Sequence, residues 1–215
     1  MPIRKIPKNY RNITGIAPHN KAVGAAAYES SLERDFLILL AFNQDVQRFE
    51  VQPLAIEWFD TAGKHHVYTP DVLVHYQCDV IVYEVKYRSD LRENWQQLKP
   101  KFQAALRFCK QNGWRFKLIT EVEIHTDFLR NAQFLLPYRQ HGLAGKYSDP
   151  YMDLLYETLR ELKQSTPNAL IQHIFQNEDN QAKLLPVLWY LIATQQVGVD
   201  LNQPITMKST IWFKK

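Results

Sequence analysis

Apolar and polar positions alternate most clearly between residues 68 and 88, YTPDVLVHYQCDVIVYEVKYR. Val72, Val74 and Tyr76 alternate with Leu73 and His75. The polar break Gln77-Cys78-Asp79 turns the chain, and residues 80–87 form a second β-branched and aromatic run. This pattern predicts a β-hairpin whose second strand, almost continuously apolar, is covered on both faces. Upstream, residues 29–42 place Leu32, Phe36, Leu39 and Leu40 at helical spacing, with Ser30 or Ser31 as N-cap. Residues 45–59 alternate around Pro53, the mark of a strand that bends or lies at an edge, and residues 60–64 read as a turn. Residues 94–111 are amphipathic. Trp95, Leu98, Phe102, Ala105, Leu106 and Cys109 are expected to face inward, while Lys99, Lys101, Arg107 and Lys110 lie elsewhere. Asn112-Gly113 stops that helix, and residues 114–120 return as a strand. The order strand, helix, strand calls for a parallel, right-handed crossover, so the expected fold is α/β, with helices flanking a mixed sheet.

A second region begins near residue 128. Ser148-Asp149-Pro150 opens a helix over 151–164, Thr166-Pro167 one over 168–176, and Asp179 or Asn180 one over 181–196. Residues 197–213 alternate weakly around Asn202-Gln203-Pro204 and read as a hairpin. Helices closed by a terminal hairpin suggest a winged-helix-like module for DNA or protein contact. Residues 1–27 carry Arg4, Lys5, Lys8, Arg11 and Lys21 with few large apolar groups, an extended arm expected to pack little by itself. The expected divisions are therefore an arm over 1–27, an α/β domain over 28–127 and a helical domain over 128–215.

Composition adds bounds. The 215 residues, 46% hydrophobic and 22% charged, suffice for a sizeable core in one or two globular domains. A formal charge of +4 permits a polyanionic partner without requiring one. For a DNA enzyme so small an excess implies that grip comes partly from other subunits, because sequence-independent affinity scales with the phosphates neutralised. Cys78 and Cys109 form neither a disulfide framework nor a metal-ligand spacing, which suits a reducing cytoplasm. The basic start MPIRKIPKNYRN lacks an apolar segment behind it, and the apolar run 184–193 is broken by Pro186, so neither a signal peptide nor a membrane span is expected. His65 and His66, adjacent on a strand, would point to opposite faces and do not share an ion easily.

The charges of the hairpin sit where a strand disfavours them. Asp71 follows Pro70, and Glu84 and Lys86 fall two apart, hence on one face. A lone lysine in a covered strand would be costly, but beside two carboxylates gathered round a divalent cation it is paired. On the 29–42 helix, Glu33 lies at the border of the apolar stripe and Arg34 points away. A first-turn acid that favours the helix dipole is the alternative role for Glu33, and Asp35 would fill it equally.

Pro70-Asp71 followed by Glu84-Val85-Lys86 resembles the PD-(D/E)xK signature of restriction-endonuclease-like nucleases. The fuller ordered set resembles the TnsA-like endonucleases of heteromeric transposases: a basic arm, Ser-Leu-Glu-Arg-Asp-Phe with Glu33, Phe49-x-x-Gln52-Pro53, Tyr68-Thr69-Pro70-Asp71, Glu84-Val85-Lys86 and a winged-helix-like C-terminal part. Some members of that family carry Gln where Glu84 stands. The resemblance implies a Mg²⁺-dependent DNA endonuclease, with Mn²⁺ able to substitute. Asp71 and Glu84 would bind the ion, Glu33 would complete its site, the Val85 carbonyl would be a further ligand, and Lys86 would position the attacking water. It implies cutting of the 5′ strands at transposon ends. The expected partners are a TnsB-like transposase that cuts and joins the 3′ strands and a TnsC-like AAA+ ATPase, in a prokaryotic cytoplasm and at the nucleoid when active. Two alternatives stay open on the residues alone: a stand-alone restriction or repair endonuclease, and a nuclease-fold subunit that only binds DNA or partners.

Overall fold

The computed structural model describes residues 15–17, 20–60, 62–143 and 148–214. In chain order its first part holds β1 (Gly15–Ala17), β2 (Ala26–Tyr28), α1 (Ser31–Phe42), β3 (Val46–Val51), β4 (Ile56–Phe59) and β5 (His65–Tyr68). There follow β6 (Val72–Tyr76), β7 (Val80–Val85), α2 (Arg88–Gln111), β8 (Arg115–Ile119) and the single turn α3 (Glu121–Ile124). The main sheet has the order β3-β6-β7-β8, with β7 antiparallel to β6 and parallel to β8. It is the mixed sheet expected, with α2 as the crossover. On one face Val82 and Leu73 pack with Cys109 of α2. On the other, the rings of Tyr83 and Phe36 of α1 lie 5.0 Å apart, so β7 is covered on both sides.

Three local differences from the sequence pattern have physical causes. Residues 45–59 form two strands in different sheets, β3 beside β6 and β4 beside β5. The chain breaks at Gln52, whose φ of 48° is left-handed and cannot continue a strand, and Pro53 follows. The arm lies partly outside the described residues (1–14, 18 and 19). Its later part is paired rather than free: β1 joins β2, and the Val23 and Phe49 amides exchange hydrogen bonds with Phe49 and Lys21 carbonyls at 2.9 Å each. Helix α2 starts at Arg88 rather than 94, because its first turns bury little and show no apolar period. Trp95 and Leu106, expected inside, are 41% and 52% exposed; the buried side of α2 is the narrower set Phe102, Ala104, Ala105 and Cys109.

The chain divides into two compact units, Met1–His125 and Thr126–Lys215. The second comprises α4 (Asp127–His141), α5 (Ser148–Leu162), β9 (Gln164–Ser165), α6 (Pro167–Ile174), α7 (Glu178–Ala193), β10 (Val197–Val199) and β11 (Ile211–Phe213). Its sheet has the order β10-β11-β9 and its helices pack on one another around Leu135, Leu155, Leu159, Leu170, Leu184 and Leu188, all fully buried. Thr166 caps α6 through the Ala169 amide, and Pro167 occupies its first turn. Helix α7 is capped by Asn177, earlier than Asp179 or Asn180. Asn131 of α4, buried, donates to the carbonyls of Leu201 and Gln203 and accepts from the Ile205 amide, which fixes the loop between β10 and β11. No helix among the described residues is long and apolar enough to cross a membrane.

Candidate active site

Strand register brings the first two acids together. β6 and β7 pair Val72 with Tyr83, and one further step of the same antiparallel register sets Asp71 opposite Glu84. Asp71 Oδ2 accepts from the Val85 amide at 2.7 Å, which ties the start of β6 to the end of β7. Glu84 shares the α2-facing side of β7 with Val82 and is 1% exposed. Such a carboxylate needs partners, and it has them. Tyr68 Oη donates to Oε2 at 2.5 Å, while Oε1 receives Lys101 Nζ at 3.0 Å and Lys86 Nζ at 3.3 Å.

Lys86 is the centre of this arrangement. Its ammonium lies 3.0 Å from the Val85 carbonyl, 3.3 Å from Glu84 Oε1 and 3.4 Å from Asp71 Oδ2. Burial alone would lower the lysine's pKa, but the Asp71 and Glu84 carboxylates outweigh it and hold Lys86 above its ordinary value. Asp71 is pushed up to about 7, by burial first and then by the charge of Glu84. Burial and Glu84 likewise keep the Tyr68 phenol neutral. Lys101, on α2, is held over the rings of Tyr68 and Phe102, 4.8 and 5.2 Å from their centroids.

These groups line a cavity of about 590 Å³ together with Glu29, Glu33, Gln52, Trp58, His66 and Gln97. Glu33 reaches it from the first turn of α1, where Ser30 is the N-cap. Its oxygens are occupied locally: Oε2 accepts from the Glu29 amide at 2.8 Å and Oε1 from Ser30 Oγ at 3.0 Å. Its pKa is raised by burial, and its charge acts on Asp71. Glu33 thus serves the helix cap while facing the cavity. Asp35, the alternative dipole acid, is buried instead against Arg34 and His125.

Gln52 joins these segments. Its amide donates to the Asp71 carbonyl at 2.9 Å, and Nε2 donates to Glu29 Oε1 at 3.3 Å, next to the Glu29 amide that binds Glu33. The left-handed backbone of Gln52 permits both, and Gln52 Oε1 is left buried with no partner among the described residues.

The donor set fits a hard divalent cation. Four carboxylates and two ammonium groups line the cavity, so with all ionised two negative charges are uncompensated. Asp71 Oδ1 makes no hydrogen bond among the described residues, and the three oxygens expected to bind the ion converge on Lys86 Nζ. No group of three His, Cys, Asp or Glu side chains is gathered at ligand distances among the described residues, because the lysines sit between the acids. His66 lines the cavity but is stacked on Trp58 and bonded to Asp60, while His65 pairs with Glu57.

Comparison with known families gives two matches: the TnsA-like endonuclease N-terminal model over residues 43–121, and the TnsA endonuclease C-terminal model over residues 123–201. The chain belongs to the TnsA-like endonuclease family. No curated protein matches it individually. Membership implies a nuclease, a DNA substrate and the setting of a heteromeric transposase, and the mixed sheet accords with a nuclease fold. In this TnsA-like chain the cavity includes Lys101, which the helical pattern placed away from the core, Gln97, which no motif singled out, and Tyr68, which stood in the ordered motif set without a role. A lysine one turn beyond Gln97 on the same helix side was the available signal.

Proposed function

We propose that this cavity is the phosphodiester-cleaving centre of a Mg²⁺-dependent DNA endonuclease, which cuts the 5′ strands at transposon ends while a TnsB-like partner cuts and joins the 3′ strands. The observation that carries the reading is the convergence of Asp71, Glu84 and the Val85 carbonyl on the Lys86 ammonium, beside a cavity lined by four carboxylates and two ammonium groups. Asp71, Glu84 and the Val85 carbonyl would hold the ion, and Glu33 would complete its site from α1. When bound, Mg²⁺ or Mn²⁺ supplies charge neutralisation at the phosphate and a more acidic water. Lys86, an ammonium, donates hydrogen bonds and so orients the attacking water. Tyr68 and Lys101 hold Glu84 in place, and Gln52 holds the backbone of Asp71. Hydrolysis needs no covalent intermediate on the protein.

The second unit supports a winged-helix reading. Helices α5, α6 and α7 are followed by the β10–β11 hairpin, and β9 adds a third strand to it. Its role in this proposal is contact with DNA or with the TnsC-like AAA+ regulator, in a prokaryotic cytoplasm and at the nucleoid during transposition.

The test is strand-specific cleavage in the assembly reconstituted with the partner subunits. Asp71→Asn and Lys86→Ala should each lower 5′-strand cutting by about 10²-fold or more, as loss of a positioned catalytic group does, and leave 3′-strand cutting in place. Undiminished 5′ cutting by both variants would refute the assignment.

A further inference from the structure

The solvent side of α2 is rich in basic residues over its first turns and again at its end, with Gln103 and the exposed Leu106 between them. At roughly 100° per residue, Arg88, Arg92, Lys99 and Lys110 fall within about 40° of one another, with Trp95 on one border and Arg107 on the other. All six are exposed. The acids of the helix, Asp90 and Glu93, lie roughly 100° or more from Arg88, Arg92, Lys99 and Lys110. Arg92, Lys99, Arg107 and Lys110 make no ion pair or side-chain hydrogen bond among the described residues. Arg88, Leu91, Arg92 and Trp95 also line a cleft of about 520 Å³.

Local folding does not explain this stripe. Like charges four apart, as at Arg88 and Arg92, weaken a helix, and the buried residues of α2 all lie from Phe102 onward. Arg88 has Glu121 and Glu123 near it, but Arg92 and Lys99 carry positive charge with no ion partner among the described residues. A polyanion supplies the missing countercharge. From Arg88 to Lys110 the helix rises about 33 Å, close to one turn of duplex DNA at about 34 Å. Its start is two residues beyond Lys86. Gln97 and Lys101, which line the cavity, lie roughly 160° round the helix from the stripe. An α-helix is about 10–12 Å across and the major groove about 12 Å wide, so a helix seated there meets one strand on each side.

We propose that the Arg88–Arg92–Lys99 stripe, continued by Arg107 and Lys110, grips the phosphate backbone of the DNA duplex, on the strand across the groove from the one that enters the cavity. The surface rests on the DNA-cutting function proposed above. Trp95 packs against the sugar edge beside these phosphates.

The test uses the full chain carrying Arg92→Gln and Lys99→Gln, binding a fluorescent duplex of about 30 bp between about 50 and about 300 mM KCl. The double variant should bind at least about tenfold more weakly at low salt, with a slope of log K on log salt shallower by about 2. Its Mn²⁺ affinity and melting temperature should match wild type, because both side chains are exposed and off the cavity. Unchanged affinity and slope would overturn the proposal. So would wild type that binds no duplex, or unchanged DNA binding with loss of a partner subunit, which would make the stripe a protein surface. A shallower slope in a chain whose cleavage ignores Asp71→Asn would keep the DNA surface and remove the nuclease assignment.

Discussion

Lys86 and Lys101 share one oxygen of Glu84 but are anchored differently, the first by oxygens and the second by aromatic rings. Lys101 therefore remains a fixed positive charge beside any bound cation. Lys101→Met should tighten Mn²⁺ binding by roughly three- to tenfold through loss of that charge, and slow cleavage as Glu84 loses its anchor. Titration of Mn²⁺ by its electron-spin signal checks this; unaltered affinity would show that the Lys101 charge does not act on the ion. The raised pKa of Asp71 sets a pH dependence. The folded state binds this proton more tightly than the unfolded one, so the contribution to stability is complete below about pH 4. It is lost as pH rises through about 7. The metal-free protein should thus melt lower at pH 8 than at pH 5 on this account, and Asp71→Asn should flatten the trend. Asp71, Glu84 and Lys86 were legible because strand period fixes their side without tertiary knowledge. Lys101 was not, because a lysine on an amphipathic helix reads as solvated until the opposing strand is placed.

Helix α1 shows how a short signal can serve two ends. Ser30 Oγ both caps the helix through the Glu33 amide and donates to the Glu33 carboxylate. Ser30→Ala should cost about 1 kcal/mol in chemical denaturation, as a lost N-cap does. In the second unit, Gly198 of β10 faces Trp212 of β11, and a Cβ at 198 would overlap the indole ring. Gly198→Ala should destabilise by roughly 1–3 kcal/mol, read from the same measurement, because the rigid ring must move. Capped helices such as α6 were readable to within a turn, since Thr166 and Pro167 are local chemistry. The first half of α2 was not, because a helix without an apolar face leaves no period to read. The split of residues 45–59 into β3 and β4 turned on one backbone angle at Gln52, which sequence does not display.

A chain of two compact units should melt in two steps where their stabilities differ. The cavity is lined entirely by residues of the first unit. Excess Mn²⁺ should raise the transition of that unit alone, by about 2.7 kcal/mol at a hundredfold excess over the dissociation constant. Calorimetry with and without the ion checks this, and a shift of both transitions together would show the units to be energetically coupled. The α/β sheet and the order of its elements could be read along the chain because each follows from periodicity and turns. What periodicity could not supply was the convergence of residues 29, 33, 52, 71, 84, 86 and 101, which depends on register and on packing between distant segments.

Gln52 uses a backbone twist that most side chains avoid to fasten three distant stretches of chain. Few substitutes satisfy the twist and the grip together: glycine keeps the first and loses the second, and β-branched residues lose the first. A library of every residue at 52, selected for transposition, should return glutamine with asparagine as its nearest survivor, leaving this position about as closed to drift as the acids it steadies.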